Sequence, residues 1–508
     1  MLPRMSEPPA PPDSSAASGE SEPDVSRDEP GTTPEAAAQA TAQATAQATA
    51  RVAFEATCAA YGELDAAAVL ADRDPGRTPV GFIIGIAAAA VCAFIAIGID
   101  AVQSIAAGDG PAPFAIALPL ALLPVPLLIL VVLWVDRLEP EPRQNLAFAF
   151  AWGAGIAALS ALIINTADLE YVTMPALGAS TGQYVAATFG APVVEETMKG
   201  LVLFGLLWWR RSELDGPTDG VIYAAMVGLG FAMVENVGYY ISAIDSPARG
   251  GIALLGYTFV LRGLLSPLLH PIFTSMTGLG VAYAASRPPG SHRARWAVFL
   301  GWLAAVALHS TWNGLSLLGA PGLIGGYLIM SCVFGGLILL LTWDHRRMVA
   351  LILRYLPGYA ATGLLTPDDV GMLASPRARA AARSWARAAG GRPAVTAMGD
   401  YQLAATELAL ARAKSARGVL SAGAFADRER RLLALMRIAR HWLARGLPSG
   451  PEPPAPWATA GSALTPDSEV SSLSTGDSKF NPQSRYGTYR LLRLHPLGKN
   501  HVIRGWLS

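Results

Sequence analysis

Seven ionisable side chains lie inside four apolar stretches of this chain: Glu195, Glu196 and Lys199 in one, Glu235 in the next, Arg262 and His270 in a third, and His309 in a fourth. An ionisable group in a bilayer costs roughly 2.5–3.5 kcal/mol on insertion scales, so it persists only when partnered and marks function by default. Carboxylates and imidazoles together suit two kinds of chemistry. Glu and His side chains can hold a divalent metal such as zinc with one position open for water, Glu196, His270 and His309 being the candidate ligands. Alternatively, a glutamate alone activates water while histidine and asparagine stabilise an oxyanion. No HExxH is present, so the usual zincin helix is absent.

The local spacings are helical. In APVVEETMKG, Lys199 follows Glu196 by three residues and Glu195 by four, so both carboxylates reach it. Neighbouring residues diverge by about 100° around a helix, so one glutamate can pair with Lys199 while the other faces water. In GFAMVENVGYY, Phe231 lies one turn before Glu235, and Asn236 is beside it. In LLHPIFTSMTG, Thr274 and Thr277 share the face of His270. In ALHSTWNG, Trp312 and Asn313 lie one turn beyond His309. Each group also has a plainer reading. The EExxK set could be a structural ion network, Glu235 and Asn236 an interhelical hydrogen bond, each histidine a packed side chain, Arg262 a counter-ion and Trp312 a packing residue.

The elements that must position these groups are apolar runs of bilayer-crossing length. Eight are expected, at about 79–100, 112–135, 145–167, 182–209, 220–244, 252–285, 295–317 and 322–343. The fold class expected is therefore an all-α polytopic helix bundle. The sixth run is long and holds Pro267 and Pro271, which predicts a kink or break. Runs of opposite direction bring the ionisable groups to similar depths, near the bilayer centre. The connectors alternate in charge. Arg73 and Arg77, Arg137 and Arg143, Arg210 and Arg211, Arg287, Arg293 and Arg295, and Arg346 and Arg347 occupy every second connector, and the others hold only Arg249. Eight crossings of a cell membrane with both termini in the cytoplasm satisfy that pattern.

The flanks differ. Residues 1–78 comprise an acidic, proline-rich start, expected to be disordered, and an alanine-rich stretch with a repeated AQAT; residues 1–30 lack the apolar core of a signal peptide. Residues 79–345 form the membrane domain. Residues 346–446, rich in Ala, Leu, Arg and Glu at helical spacing, predict a small cytoplasmic helical region. Residues 447–508 are a mostly disordered Pro/Ser-rich tail with a basic end. Cys58, Cys92 and Cys332 form no CxxC pair, which argues against a disulfide framework or a cysteine zinc site. A net charge of zero gives no electrostatic signature for nucleic acid.

At these residues the chain resembles the PrsW family of intramembrane proteases, which is similar to the CAAX-processing and bacteriocin-processing membrane proteases. Glu195, Glu196 and Lys199 match its EExxK motif; Phe231, Glu235 and Asn236 match FxxxEN; His270 and His309 match the histidines that follow. Asp136–Pro142 is similar to an upstream acidic D-x-x-E-P-E-P segment. The resemblance covers about 79–345. It implies hydrolysis of peptide bonds in membrane-anchored proteins, regulators such as anti-sigma factors among them. Glu195, Glu196, Glu235, His270 and His309 are then the expected catalytic groups, supported by Lys199, Phe231, Asn236, Arg262 and Asn313. Two other readings compete. A proton-coupled transporter would also use membrane Glu and His, yet no internal repeat is visible and the charges occupy one half of the span series. A scaffold binding a partner through its cytoplasmic helices leaves the buried charges unexplained.

Overall fold

The computed structural model describes residues 80–445 apart from 107–109, 139, 212, 213, 215, 246–250, 289 and 361–364. The expectations for residues 1–79 and 446–508, and for Arg249, fall outside those residues. Among the described residues every element is helical and no strand occurs. Eight helices or helical segments make the bundle: α1 (Val80–Ala106), α2 (Ala112–Val135), α3 (Arg143–Leu177), α4 (Ala191–Trp209), α5 (Pro217–Ile244), α6 (Ile252–Ala285), α7 (His292–Ser316) and α8 (Gly319–Tyr355). Three more follow: α9 (Pro367–Ala374), α10 (Pro376–Ala416) and α11 (Ala422–Arg445).

Six helices among the described residues, not eight, are long and apolar enough to cross a membrane. The two segments of the expected eight that fall short are α4 and α7. The reason is chemical: α4 carries Glu195, Glu196 and Lys199, and α7 carries His292, Arg293, Arg295 and His309. The charges that make them interesting also dilute their apolar character.

The hub is α5, with Gly220 to Ala232 buried without a break. Small residues let its neighbours come close, as helices in lipid require. A Cβ on Gly278 of α6 would lie 2.1 Å from the Gly220 carbonyl oxygen, and one on Gly153 of α3 would lie 2.0 Å from that of Val227. The break expected in α6 is present. The chain leaves helical geometry at Ser266–Leu268, between a π-helical turn at Val260–Leu265 and the straight helix Leu269–Ala285.

Basic connectors gather at one end of the bundle. The Arg211 guanidinium donates to the carbonyls of Ala284 (2.5 Å), Ala285 (3.2 Å) and Arg287, capping α6. Thr218 donates to Asp344 at 2.7 Å, and Arg347 pairs with the same carboxylate at 2.8 Å. The acidic segment after α2 also lies here. Asp136 accepts the Glu141 N–H at 2.9 Å, and Glu141 accepts the Tyr223 hydroxyl at 2.7 Å. Burial pushes the Asp136 carboxyl up to about 7, against the pull of that N–H.

The last bundle helix does not stop at the end of its apolar run. The 37-residue α8 continues to Tyr355, so that Ile352 joins Leu356, Leu373, Ala405, Leu408 and Leu435 in a separate apolar core formed with α9, α10 and α11. Gly390 and Gly391 interrupt α10, the latter at φ 65°, a conformation that favours glycine.

Candidate active site

Helix α4 presents EExxK on its inward face. Glu195, Glu196 and Lys199 are all buried, Lys199 and Glu196 completely. The Lys199 ammonium donates to Glu196 Oε1 at 2.9 Å and to Glu195 Oε2 at 3.2 Å, and it lies 2.9 Å from His270 Nδ1. Its fourth neighbour is the Phe231 ring of α5, 3.8 Å from Nζ to centroid, a cation–π contact. Four helices thus contribute to one cluster. α5 brings Glu235, which accepts from His270 Nε2 at 2.8 Å and pairs with Arg262. Arg262 also donates to Asn236 Oδ1 at 2.7 Å. α7 brings His309, whose Nδ1 lies 3.1 Å from Glu196 Oε1 and whose Nε2 faces Glu195 Oε2 at 3.9 Å. The imidazoles of His270 and His309 meet edge to face at 5.2 Å, and Phe273 stacks on His309 at 4.7 Å.

All four positions lie at one level. Counting residues to the basic end of each helix at 1.5 Å per residue puts Glu195, Glu235, His270 and His309 about 21–27 Å from it. The hydrogen bonds fix the ring tautomers. A carboxylate behind His270 Nε2 makes that nitrogen the donor and leaves Nδ1 with a lone pair, which receives Lys199. The carboxylate at His309 Nδ1 does the same there, leaving the lone pair on Nε2, turned toward Glu195. Each imidazole is therefore oriented by a carboxylate on the far side of its ring.

The structure brings Glu195, Glu196, Glu235, His270 and His309 together in this cluster, with one change in the expected pairing. The sequence points to Glu196 with the two histidines as the candidate metal ligands. Its carboxylate is instead committed to Lys199, His309 and the Thr274 hydroxyl, the last at 2.9 Å. The carboxylate whose oxygen lies within 4.8 Å of a nitrogen from each histidine is that of Glu195. Asn313 reaches the Ala187 carbonyl at 2.9 Å rather than the cluster. The Asp136–Pro142 segment does not reach the site: its anchor Tyr223 precedes Glu235 by twelve residues, about 18 Å along α5. Thr274 was legible from its i+4 spacing to His270. Asn165, whose Nδ2 lies 3.5 Å from Glu195 Oε1, carried no such signal, because a lone neutral amide in an apolar run is unremarkable.

Two cavities open on the cluster. The smaller, about 280 Å³, is walled by Phe273, Trp312 and Tyr327 and bounded by Glu235, His270 and His309. The larger, about 720 Å³, extends from Asp100 and Asn165 to Glu195 and Glu235. Over this same region, residues 141–340 match the model of the PrsW family intramembrane metalloproteases.

Residues 141–340 are thus similar to the PrsW family.

The match supports a membrane-integral peptidase. Among similar proteins, Protease PrsW of Geobacillus kaustophilus (strain HTA426) is 26% identical over 182 residues, 36% of this chain and 71% of that protein. Protease PrsW of Oceanobacillus iheyensis (strain DSM 14371) is 28% identical over 130 residues, 26% of this chain and 54% of that protein. No solved structure matches. The donor types at the site fit the metal that the PrsW family description implies, provided the Lys199 ammonium, which here takes His270 Nδ1 and Glu195 Oε2, turns to Glu196. Glu195, His270 and His309 offer one carboxylate oxygen and two imidazole nitrogens, the donor types of divalent zinc. The carboxylates of Glu235 and Glu196 behind the two rings are the outer partners such ligands usually have.

Close backbone packing sets the position of His270. A Cβ on Gly228 of α5 would lie 2.5 Å from the Pro271 nitrogen and 2.7 Å from the His270 carbonyl carbon. Ordinary carbon contacts are about 3.5–4.0 Å, so Gly228→Val drives the start of the inner α6 helix outward by about an ångström. PrsW-type cleavage and thermal stability in detergent are expected to fall together. A Gly228→Val protein with unchanged melting temperature and activity would show that this contact does not hold the histidine.

Proposed function

We propose that the chain is an intramembrane endopeptidase that hydrolyses membrane-anchored proteins with water activated at Glu195. The observation that carries this reading is the meeting of Glu195, Glu196, Lys199, Glu235, His270 and His309, from four helical segments, at the junction of two cavities. Peptide hydrolysis needs an acceptor for the proton of the attacking water and a donor for the developing oxyanion. Glu195 borders the larger cavity and takes that proton. Glu196 is wholly buried and holds Lys199 and His309 in place. Glu235, itself fixed by Arg262, orients His270. Asn236 stands beside it as an amide donor. Glu195, through one carboxylate oxygen, His270 and His309 would hold a divalent metal, which when bound supplies Lewis acidity and a water acidic enough to ionise near neutral pH; the second oxygen of Glu195 is then the one that takes the proton.

The substrate class is a single-span or otherwise membrane-anchored regulator, with anti-sigma factors as the type the resemblance implies. The basic end of the bundle faces the cytoplasm of the cell membrane, by the positive-inside rule. With α4 and α7 crossing alongside the six apolar helices, both termini lie on that side. The α9–α11 unit beyond α8 is then cytoplasmic.

The test uses the full-length protein in detergent with single-span reporter substrates. Cleavage is expected, is lost on treatment with a strong chelator and returns on adding zinc. No cleavage of any reporter, together with ion flux in proteoliposomes, would replace this reading with a transporter. Cleavage indifferent to chelator would leave the peptidase and remove the metal.

A further inference from the structure

Each of the two cavities holds a buried polar atom without a hydrogen-bond partner. In the smaller it is the Tyr327 hydroxyl of α8, and in the larger the Asn165 carboxamide oxygen of α3. A buried donor or acceptor left unpaired is costly, and its presence in a native site calls for an explanation. The two atoms are complementary in kind. A tyrosine hydroxyl donates, and a carboxamide oxygen accepts. The orientation of Asn165 is set by its neighbour, since only its NH2 end can face the Glu195 carboxylate oxygen at 3.5 Å.

The cavities are not separate. Ala187, Glu235, Tyr239 and Asn313 line both, so the catalytic cluster lies at their junction. Tyr327 is held firmly. Its ring meets Trp312 edge-on at 5.0 Å, and Trp312 lies so near α8 that a Cβ on Gly326 would come within 3.1 Å of it. Trp312 is three residues beyond His309 on α7, so the hydroxyl is positioned from the helix that supplies the histidine.

Resting on the peptidase reading above, we propose that the two cavities form one track for a substrate polypeptide, in which Tyr327 donates to a backbone carbonyl and Asn165 accepts a backbone N–H on the other side of the cleavage point. An extended peptide offers both groups at every residue, whereas a lipid chain offers neither and a metal ion has no use for the donor. Backbone groups engaged within a helix cannot make these bonds, so the bound segment is unwound. Tyr327 lies in span eight and Asn165 in span three, outside the EExxK, FxxxEN and histidine motifs.

The experiment measures two quantities on the full-length protein. The first is reporter cleavage by wild type and Tyr327→Phe. The second is the affinity of the Glu195→Gln protein for a fluorescent single-span reporter, with and without Tyr327→Phe or Asn165→Leu. Tyr327→Phe is expected to lower kcat/KM about tenfold, mainly through KM, and to weaken reporter binding similarly. Its melting temperature is expected to hold or rise, because the hydroxyl removed has no partner in the fold. Asn165→Leu weakens binding to a like degree. Unchanged affinity in Tyr327→Phe, or a fall in activity accompanied by a lower melting temperature, overturns the track. Wild-type protein that binds the reporter through Tyr327 yet never cleaves it supports the track and overturns the peptidase reading, so the two failures are distinguishable.

Discussion

Glu195→Gln is expected to lower the cleavage rate by a factor on the order of a thousand, the usual contribution of a positioned acid–base group, with a smaller fall in melting temperature than Glu196→Gln, because Lys199 keeps its shorter bond to Glu196. Glutamine preserves the volume and both polar ends of the side chain, and Glu195 is one of several groups that bound the larger cavity. What it cannot do is accept a proton from water. The neighbouring Glu196→Gln serves as the contrast. Glu196 is completely buried and accepts from Lys199, Thr274 and His309, so its replacement disturbs three partners and lowers stability as well as rate. His309→Ala removes the lone pair directed at Glu195 and is expected to match Glu195→Gln in lost activity. The measurement is single-turnover cleavage of a reporter, with thermal unfolding in the same detergent. A Glu195→Gln protein retaining a tenth or more of the wild-type rate would move the proton acceptor elsewhere.

Lys199→Met should produce the largest loss of stability. The ammonium is the shared counter-charge of Glu195 and Glu196 and is shielded from solvent altogether. Removing one member of a buried ion network leaves its partners uncompensated, at a cost of about 3–5 kcal/mol. The double variant Lys199→Met/Glu196→Gln removes a charge of each sign and recovers most of that loss, because residues in one network are not additive. Activity does not recover, since His309 has lost the carboxylate that orients it. Thermal unfolding of the single and double variants checks this. Equal melting temperatures for Lys199→Met and wild type would show that the carboxylates do not depend on the lysine.

The residues that carry the site were legible in the sequence because each is expensive where it stands. An apolar run tolerates Glu, Lys, Arg or His only with a partner, so Glu195, Lys199, Glu235, Arg262, His270 and His309 announced themselves. Pairings within one helix were legible too, since Lys199 to Glu195 and Glu196 is a matter of helical pitch. The bond from His309 to Glu196, 113 residues apart, was not. It depends on how α4 and α7 are rotated, and that rotation is set by packing against α5 and α6. The same rotation decides that Glu195, and not Glu196, faces the larger cavity. Tyr327 and Asn165 were silent because neutral polar residues in an apolar run raise no alarm. That the last apolar run, at about 322–343, and the start of the helical region beyond it form one helix was not legible either. Hydropathy falls after Trp343, but HRRMVALILRY keeps strong helix formers, so the helix continues.

That continuity makes α8 a lever. From Gly319 to Tyr355 it is about 54 Å of unbroken helix. Near one end it carries Tyr327 at the edge of the smaller cavity, and near the other Ile352 is locked into the core of the C-terminal helices. A helix of this length bends only gently unless a proline, a glycine pair or a π-bulge breaks it, and beyond Pro321 in its first turn α8 stays continuous α-helix through its glycine pairs, Gly325–Gly326 and Gly335–Gly336. Tilting or twisting the C-terminal unit therefore turns the wall of the cavity with it, and the two ends report each other's position across the thickness of the bilayer.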